Sequence, residues 1–242
     1  MSIDQPSIPS LKRLLWLHPE WWMFGVSLLV WLVMVIHIDS TGAGLTLAHQ
    51  HHHANAFSMR SWMSETSSWM LMIVAMMFPL IANSACNVAA RSLWPRRQRA
   101  IAGFVIGYLC VWLIAGIALS LAISYIRTQS WVDVKAVVGF SFIAAAAWQI
   151  TPVKRRALFS CHRTMPIAPE GWQADCGCVR YGWVIGGSCL LNCWAWMLFC
   201  TLTGHNLVAM LFAAFIGIAE RYPIRKFKFP VPFASSLFTV VR

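Results

Sequence analysis

Six apolar blocks, separated by short polar and basic segments, constrain the fold of this chain more than any other feature. The blocks are about 17 to 27 residues long, the length that an α-helix needs to cross a bilayer. Only 11% of the residues are charged, against about 25% in an average soluble domain. We therefore predict an all-α membrane protein, a bundle of six transmembrane helices. The predicted spans are 21–38, 67–90, 100–126, 134–150, 181–202 and 205–221.

The distribution of Lys and Arg predicts the orientation of this bundle. Sixteen of the 19 basic residues lie in 1–20, 91–99, 151–180 and the stretch after 220, and three lie on the opposite side. Because basic residues stay on the cytoplasmic side, both termini are predicted to be cytoplasmic. The domains are then a cytoplasmic lead over 1–20, a transmembrane domain over 21–221 and a basic cytoplasmic tail over 222–242. We expect a multi-pass protein of a bacterial inner membrane.

The net charge of +11 does not indicate a nucleic-acid partner. The basic residues cluster between apolar blocks, where they would contact the anionic inner leaflet of the bilayer. The sequence has no phosphate-binding loop, dinucleotide fingerprint, catalytic triad or paired catalytic carboxylates, so we expect no enzyme activity.

Sulfur-bearing residues follow one side of the fifth predicted span. At about 100° per residue, they fall within an arc of about 80°. These residues are Cys189, Cys193, Met197 and Cys200. The first and last are separated by about 16 Å along a helix, so one ion cannot contact all four. The pattern suits a series of metal sites.

A second stripe of soft side chains lies on the second predicted span. Met72, Met76 and Cys86 share an arc of roughly 100° with Pro79, which frees the carbonyl of Ala75. Polar and sulfur groups in a bilayer should face the bundle interior. We therefore predict that the two stripes face each other, although ordinary core packing would produce the same residues.

Thiolate and thioether ligands select soft metals, above all Cu(I), so we expect a copper ion at these stripes. The outer loop adds a short histidine run, which is typical of metal collection. Its members are His49, His51, His52 and His53. On the inner side, Cys176 and Cys178 are spaced too closely for a zinc pair. They are compatible either with the transfer of a Cu(I) ion at the cytoplasmic face or with a reduced, inert thiol pair.

Several stretches resemble a bacterial family described as predicted metal-binding integral membrane proteins. The resemblance covers about residues 65–222. It rests on Trp69-Met70, Ala75 to Pro79, Gly107-Tyr108, Val111-Trp112, Trp148 to Lys154, Cys161-His162-Arg163, Gly182 to Trp194, Gly204-His205-Asn206 and Glu220-Arg221. The chain departs from the family at Asn192, where a cysteine is usual, and at His205, where methionine is usual. The resemblance implies metal binding without naming the ion.

Two functions are compatible with these features. The first is a membrane metal-handling protein that transports a soft ion, copper above all, or delivers it to a membrane enzyme. The alternative is a non-catalytic structural or assembly subunit of a larger membrane complex. Sulfur atoms that converge inside the chain favour the first, and sulfur atoms buried against a partner favour the second.

Overall fold

The computed structural model describes residues 19–40, 59–127, 134–168 and 171–221, and this part of the chain contains helices and no strand. A 3₁₀ turn at Trp94–Arg96 joins the second helix to the third. The helices are α1 Trp21–Ser40, α2 Met59–Arg91, α3 Arg97–Arg127, α4 Val134–Trp148, α5 Pro152–Ser160, α6 Gly171–Leu202 and α7 Leu207–Arg221. The all-α prediction is confirmed.

By length and composition, three of the described helices could cross a membrane: α2, α3 and α6. A fourth candidate is the pair α4 and α5, which is bent by 71° at its break. The described part of α1 is a shorter apolar helix, and α7 has 15 residues. The structure therefore supports three or four of the six predicted spans, and the predicted cytoplasmic termini lie outside the described residues.

The contact between α3 and α6 is the most extensive in the fold, and two glycines permit it. A β-carbon at Gly182 would overlap the backbone carbonyl of Phe104, and one at Gly107 would overlap the carbonyl of Val179. Small residues let helix backbones approach closely when little polar matter separates them. Helix α3 also packs against α2, and Met77 of α2 reaches Cys189 of α6 with its side chain.

Pro79 interrupts the hydrogen bonds of α2 and leaves the Ala75 carbonyl without its helical partner. Two side chains of α1 replace that partner. The Ser27 hydroxyl donates to the carbonyl at 2.6 Å, and the Trp31 indole donates at 3.1 Å. A free carbonyl in an apolar interior is costly, so these hydrogen bonds attach α1 to α2.

The predicted loop 151–180 is wrong over two stretches, since α5 and the beginning of α6 lie within it. Thr151 caps α5 by accepting a hydrogen bond from the Lys154 amide, and Pro152 occupies the first turn. Proline suits that position because its missing N–H would have no helical partner there. The charged, polar composition concealed a short capped helix.

Large apolar side chains cover the outer faces of α1, α4 and α7. Leu28, Phe140, Ile143 and Phe215 are each at least 63% exposed. Contiguous apolar surfaces of this kind are unusual on soluble monomers and indicate contact with lipid or another protein.

We predict that Gly182→Ala destabilises the protein, whereas Gly187→Ala does not. Overpacking at position 182 should cost about 1–3 kcal/mol, because backbone atoms of α3 must move. Nothing lies within 4 Å of a β-carbon at Gly187, so alanine there should raise stability slightly through its better helix propensity. Thermal unfolding in detergent measures both, and equal melting temperatures for the two variants would contradict the close crossing.

Candidate metal centre

Cys189 is the centre of a group of sulfur atoms inside the bundle. Its side chain is completely buried, and the side chains of Cys161 and Cys193 are at most 7% exposed. The thiols of Cys161 and Cys193 both lie near Cys189 and interact with it electrostatically. Cys189 is therefore a neighbour of both other thiols. We call these three residues the thiol cluster.

A thioether and a phenol complete the surroundings of Cys189. The Met77 Sδ lies 3.8 Å from the Cys189 Sγ. The Tyr108 hydroxyl donates a hydrogen bond to the same sulfur at 3.2 Å. Both side chains are buried, at no more than 2% exposure. Helices α2, α3 and α6 thus each contribute a group to this point, and it is sheltered from water.

Cys161 follows α5, and three side chains hold its segment against the bundle. Tyr181 donates to the Arg163 carbonyl at 2.9 Å, and Arg91 donates to the Met165 carbonyl at 3.1 Å. Arg221 donates to the Cys161 carbonyl at 3.3 Å. These bonds satisfy backbone groups that no helix satisfies, and they bring the Cys161 thiol under Cys189.

Glu220 and Arg221, the last two residues of α7, have different partners. Glu220 forms an ion pair with Lys154 of α5 at 2.5 Å. Arg221 turns inward, and its Nη1 lies 3.9 Å from the Cys189 sulfur. Burial, together with the positive charge of Arg221, lowers the pKa of His162, so that imidazole is neutral near pH 7.

A small cavity of about 10 Å³ lies beside the thiol cluster. That is about the space of one water molecule. Its lining includes Met77, Asn192, Cys193, Met197 and Glu220. The Asn192 amide nitrogen donates to the Cys193 sulfur at 3.4 Å, and its buried oxygen has no partner in the described part of the chain. The cavity therefore leaves space beside Cys193 for one water molecule or an ion of similar size.

The predicted sulfur residues of α6 lie at different distances from the cluster. Cys189 and Cys193 belong to it, and Met197 lines the adjoining cavity. Cys200 is fully buried, but its thiol forms no hydrogen bond with a described residue. Of the four sulfur residues predicted along α6, Cys189 and Cys193 belong to the cluster.

The predicted residues of α2 contribute less directly. Met72 and Met76 are buried in the same core as the cluster, but the thioether that reaches Cys189 belongs to Met77. Cys86 is half-buried and interacts with Glu20. At about 100° per residue, Met77 lies outside the predicted stripe of α2. The helical wheel does not contain the directions of the neighbouring helices, which decide that the Met77 thioether reaches Cys189.

The remaining predicted residues either lie outside the described part of the chain or have neighbours other than Cys189. His49, His51, His52 and His53 lie outside the described residues. Cys176 is exposed and Cys178 is buried near Asp175 of its own helix. They do not join the group around Cys189.

Within the described ranges, no three or more His, Cys, Asp or Glu side chains are arranged so that they could hold a metal ion together. The thiol cluster is therefore not a complete three-ligand site by itself. What it offers is two overlapping thiol pairs with a thioether alongside. Such a set suits an ion that needs few, soft ligands, as Cu(I) does.

The sequence matches the model of a protein family described as PpoB2, copper chaperone, over residues 66–240. The match covers more than half of the chain. The chain belongs to this copper chaperone family. No curated protein and no solved structure matches it. Membership supports a copper-handling role and agrees with the soft ligands around Cys189.

Three residues of the centre were not predicted as site residues: Cys161, Met77 and Arg221. Cys161 and Arg221 are far from Cys189 in the sequence, and only the fold brings them together. The signal that pointed to them was the family resemblance, since Cys161-His162-Arg163 and Glu220-Arg221 were two of its matching stretches.

We predict that Glu220→Gln destabilises the protein by about 3 kcal/mol, since it leaves Lys154 buried without a counter-charge. The Lys154 side chain is 5% exposed. Arg99→Ala serves as the control, because its ion pair with Asp175 lies at the surface, with Arg99 70% exposed, and such pairs contribute about 1 kcal/mol or less. Denaturation in detergent measures both, and equal losses would mean that the Lys154 pair is not buried in solution.

Proposed function

We propose that this protein is a membrane-embedded copper(I) chaperone that holds the ion at the thiol cluster and hands it to a membrane enzyme. The observation that carries the proposal is the buried position of Cys189 close to the thiols of Cys161 and Cys193, with the Met77 thioether 3.8 Å from its sulfur. Family membership supports the choice of copper.

The reduced ion fits this site better than harder cations do. Thiolate and thioether sulfur favour Cu(I), whereas Mg²⁺ and Ca²⁺ need several oxygen ligands. The three thiols are free, with no disulfide among the described cysteines. The dry surroundings also protect Cu(I) from water, since the side chains around it are almost fully buried.

The shared thiol provides a route for moving the ion. An ion held by Cys189 and Cys193 forms a bond to the sulfur of Cys161 while its bond to Cys193 breaks. The proton that Cys161 gives up passes to Cys193, so charge and atoms balance. Cys189 remains bound throughout, and no free ion is released. The same exchange with a thiol of a partner would deliver the ion.

The bilayer is the proposed environment of this site. The exposed apolar faces of α1, α4 and α7 would contact lipid. With the predicted orientation, Cys161 lies toward the cytoplasmic side of an inner membrane, and the run His49 to His53 lies outside. The His run would then collect copper, and the protein would act without catalysing a reaction.

Copper binding tests the proposal directly. Purify the full chain in detergent under reducing conditions and titrate it with Cu(I) against a coloured Cu(I) chelator. We expect Cys189→Ala to lower the apparent affinity by at least about tenfold, because both thiol pairs lose their shared member. Cys200→Ala is the matched control, since it removes a buried thiol of the same helix outside the cluster, and we expect it to bind as the unchanged protein does.

Equal copper binding by the two variants would contradict the site. A protein that binds no Cu(I) at all would favour the alternative, a non-catalytic subunit or assembly factor of a membrane complex. Removing residues 49–53 separates the outer loop from the centre: we expect slower loading with the same affinity at the cluster.

A further inference from the structure

The Arg221 guanidinium is a permanent positive charge placed beside the thiol cluster. The side chain is only 7% exposed, and a guanidinium keeps its proton in proteins. Its Nη1 lies 3.9 Å from the Cys189 sulfur, and its Nη2 donates to the Cys161 carbonyl. Its position is therefore determined from two sides, and it faces sulfur.

No carboxylate in the described part of the chain forms an ion pair with Arg221. Its neighbour Glu220 is bound to Lys154 of α5. A buried charge without a counter-charge is strongly unfavourable. The groups near enough to balance it are the thiols of Cys161, Cys189 and Cys193 and the phenol of Tyr108. The site is thus arranged for negative charge on sulfur.

Two further donors point at the same sulfur atoms. The Tyr108 hydroxyl donates to Cys189, and the Asn192 amide donates to Cys193. Hydrogen bonds to a sulfur that carries negative charge are stronger than those to a neutral thiol. Together with Arg221 these donors would stabilise the negative charge of a pair of metal-bound thiolates.

The total charge then depends on the charge of the ion. Two thiolates and a monovalent ion carry one negative charge, which Arg221 neutralises. Two thiolates and a divalent ion are neutral, so the charge of Arg221 would remain uncompensated in an apolar interior. A divalent ion reaches neutrality only if all three thiols deprotonate around it, and these three described side chains are not arranged so that they could hold one ion together.

We propose that Arg221 determines which ions the site accepts, by making a bis-thiolate complex of a monovalent soft ion electrically neutral. This inference rests on the proposed copper site and adds a specificity-determining residue to it. It extends to Ag(I), which has the same charge and softness, and it disfavours Zn(II) and Cd(II).

Selectivity, and not affinity alone, tests this role. Titrate the full-length protein in detergent with Ag(I) and, separately, with Cd(II), for the unchanged chain, Arg221→Gln and Arg221→Lys. We expect Arg221→Gln to weaken Ag(I) binding by about 10- to 100-fold, the range found when a group beside metal ligands is removed. Cd(II) binding should strengthen or stay equal, so the ratio of the two affinities falls. Arg221→Lys keeps the charge and should retain most of the ratio.

Arg99→Gln is the matched control, because it removes an exposed arginine of the surface pair with Asp175, and it should leave the ratio unchanged. Thermal unfolding is recorded for every variant. Should Arg221→Gln fail to fold, Arg221→Lys and the unchanged chain still decide the matter. A native protein that binds Cd(II) as tightly as Ag(I) overturns the inference. So does a folded Arg221→Lys variant that does not keep the native ratio of the Ag(I) and Cd(II) affinities.

The outcomes separate this inference from the copper site itself. A native protein that binds neither Cu(I) nor Ag(I) refutes the proposed function. Native binding of Ag(I), with an unchanged ratio in the folded Arg221→Gln variant, leaves that function standing and refutes the role of Arg221.

Discussion

The position of Cys189 depends on the close crossing of α3 and α6. Gly107 and Gly182 allow the two backbones to touch, so that Tyr108 of α3 reaches the sulfur of Cys189 on the neighbouring helix. A β-carbon at either glycine would push the helices apart and withdraw the hydroxyl. The proposed binding site therefore depends on the approach of the two backbones as well as on the cysteines.

Two polar groups of the bundle receive partners from other helices. Ser27 and Trp31 satisfy the carbonyl that Pro79 frees, and Lys154 satisfies Glu220. Arg221 is different, because its partners are a backbone carbonyl and sulfur. Lys154 and Glu220 neutralise each other, whereas Arg221 has no described carboxylate partner, so its charge acts on the thiol cluster.

The sequence predicted the all-α class, the carbonyl that Pro79 leaves without a helical partner, and the interior position of Cys189 and Cys193. These features depend on length, periodicity and residue type, which are local. The sequence did not predict Cys161, Met77 or Arg221 at the centre. Their approach depends on the bend between α4 and α5 and on the direction in which α7 ends. Both are relations between helices, which a helical wheel of one segment does not contain. The loop predicted over 151–180 was wrong for a local reason, because its charged composition outweighed the Thr151-Pro152 capping signal.

In the proposed site, copper is bound by sulfur atoms that meet at Cys189. X-ray absorption spectroscopy of the Cu(I)-loaded full-length protein, purified under reducing conditions, measures the atoms bound to the ion. We predict one copper per chain, in the reduced state, with two or three sulfur neighbours and no nitrogen or oxygen bound to it. Copper bound mainly by nitrogen would lie on histidines and would contradict the proposed site.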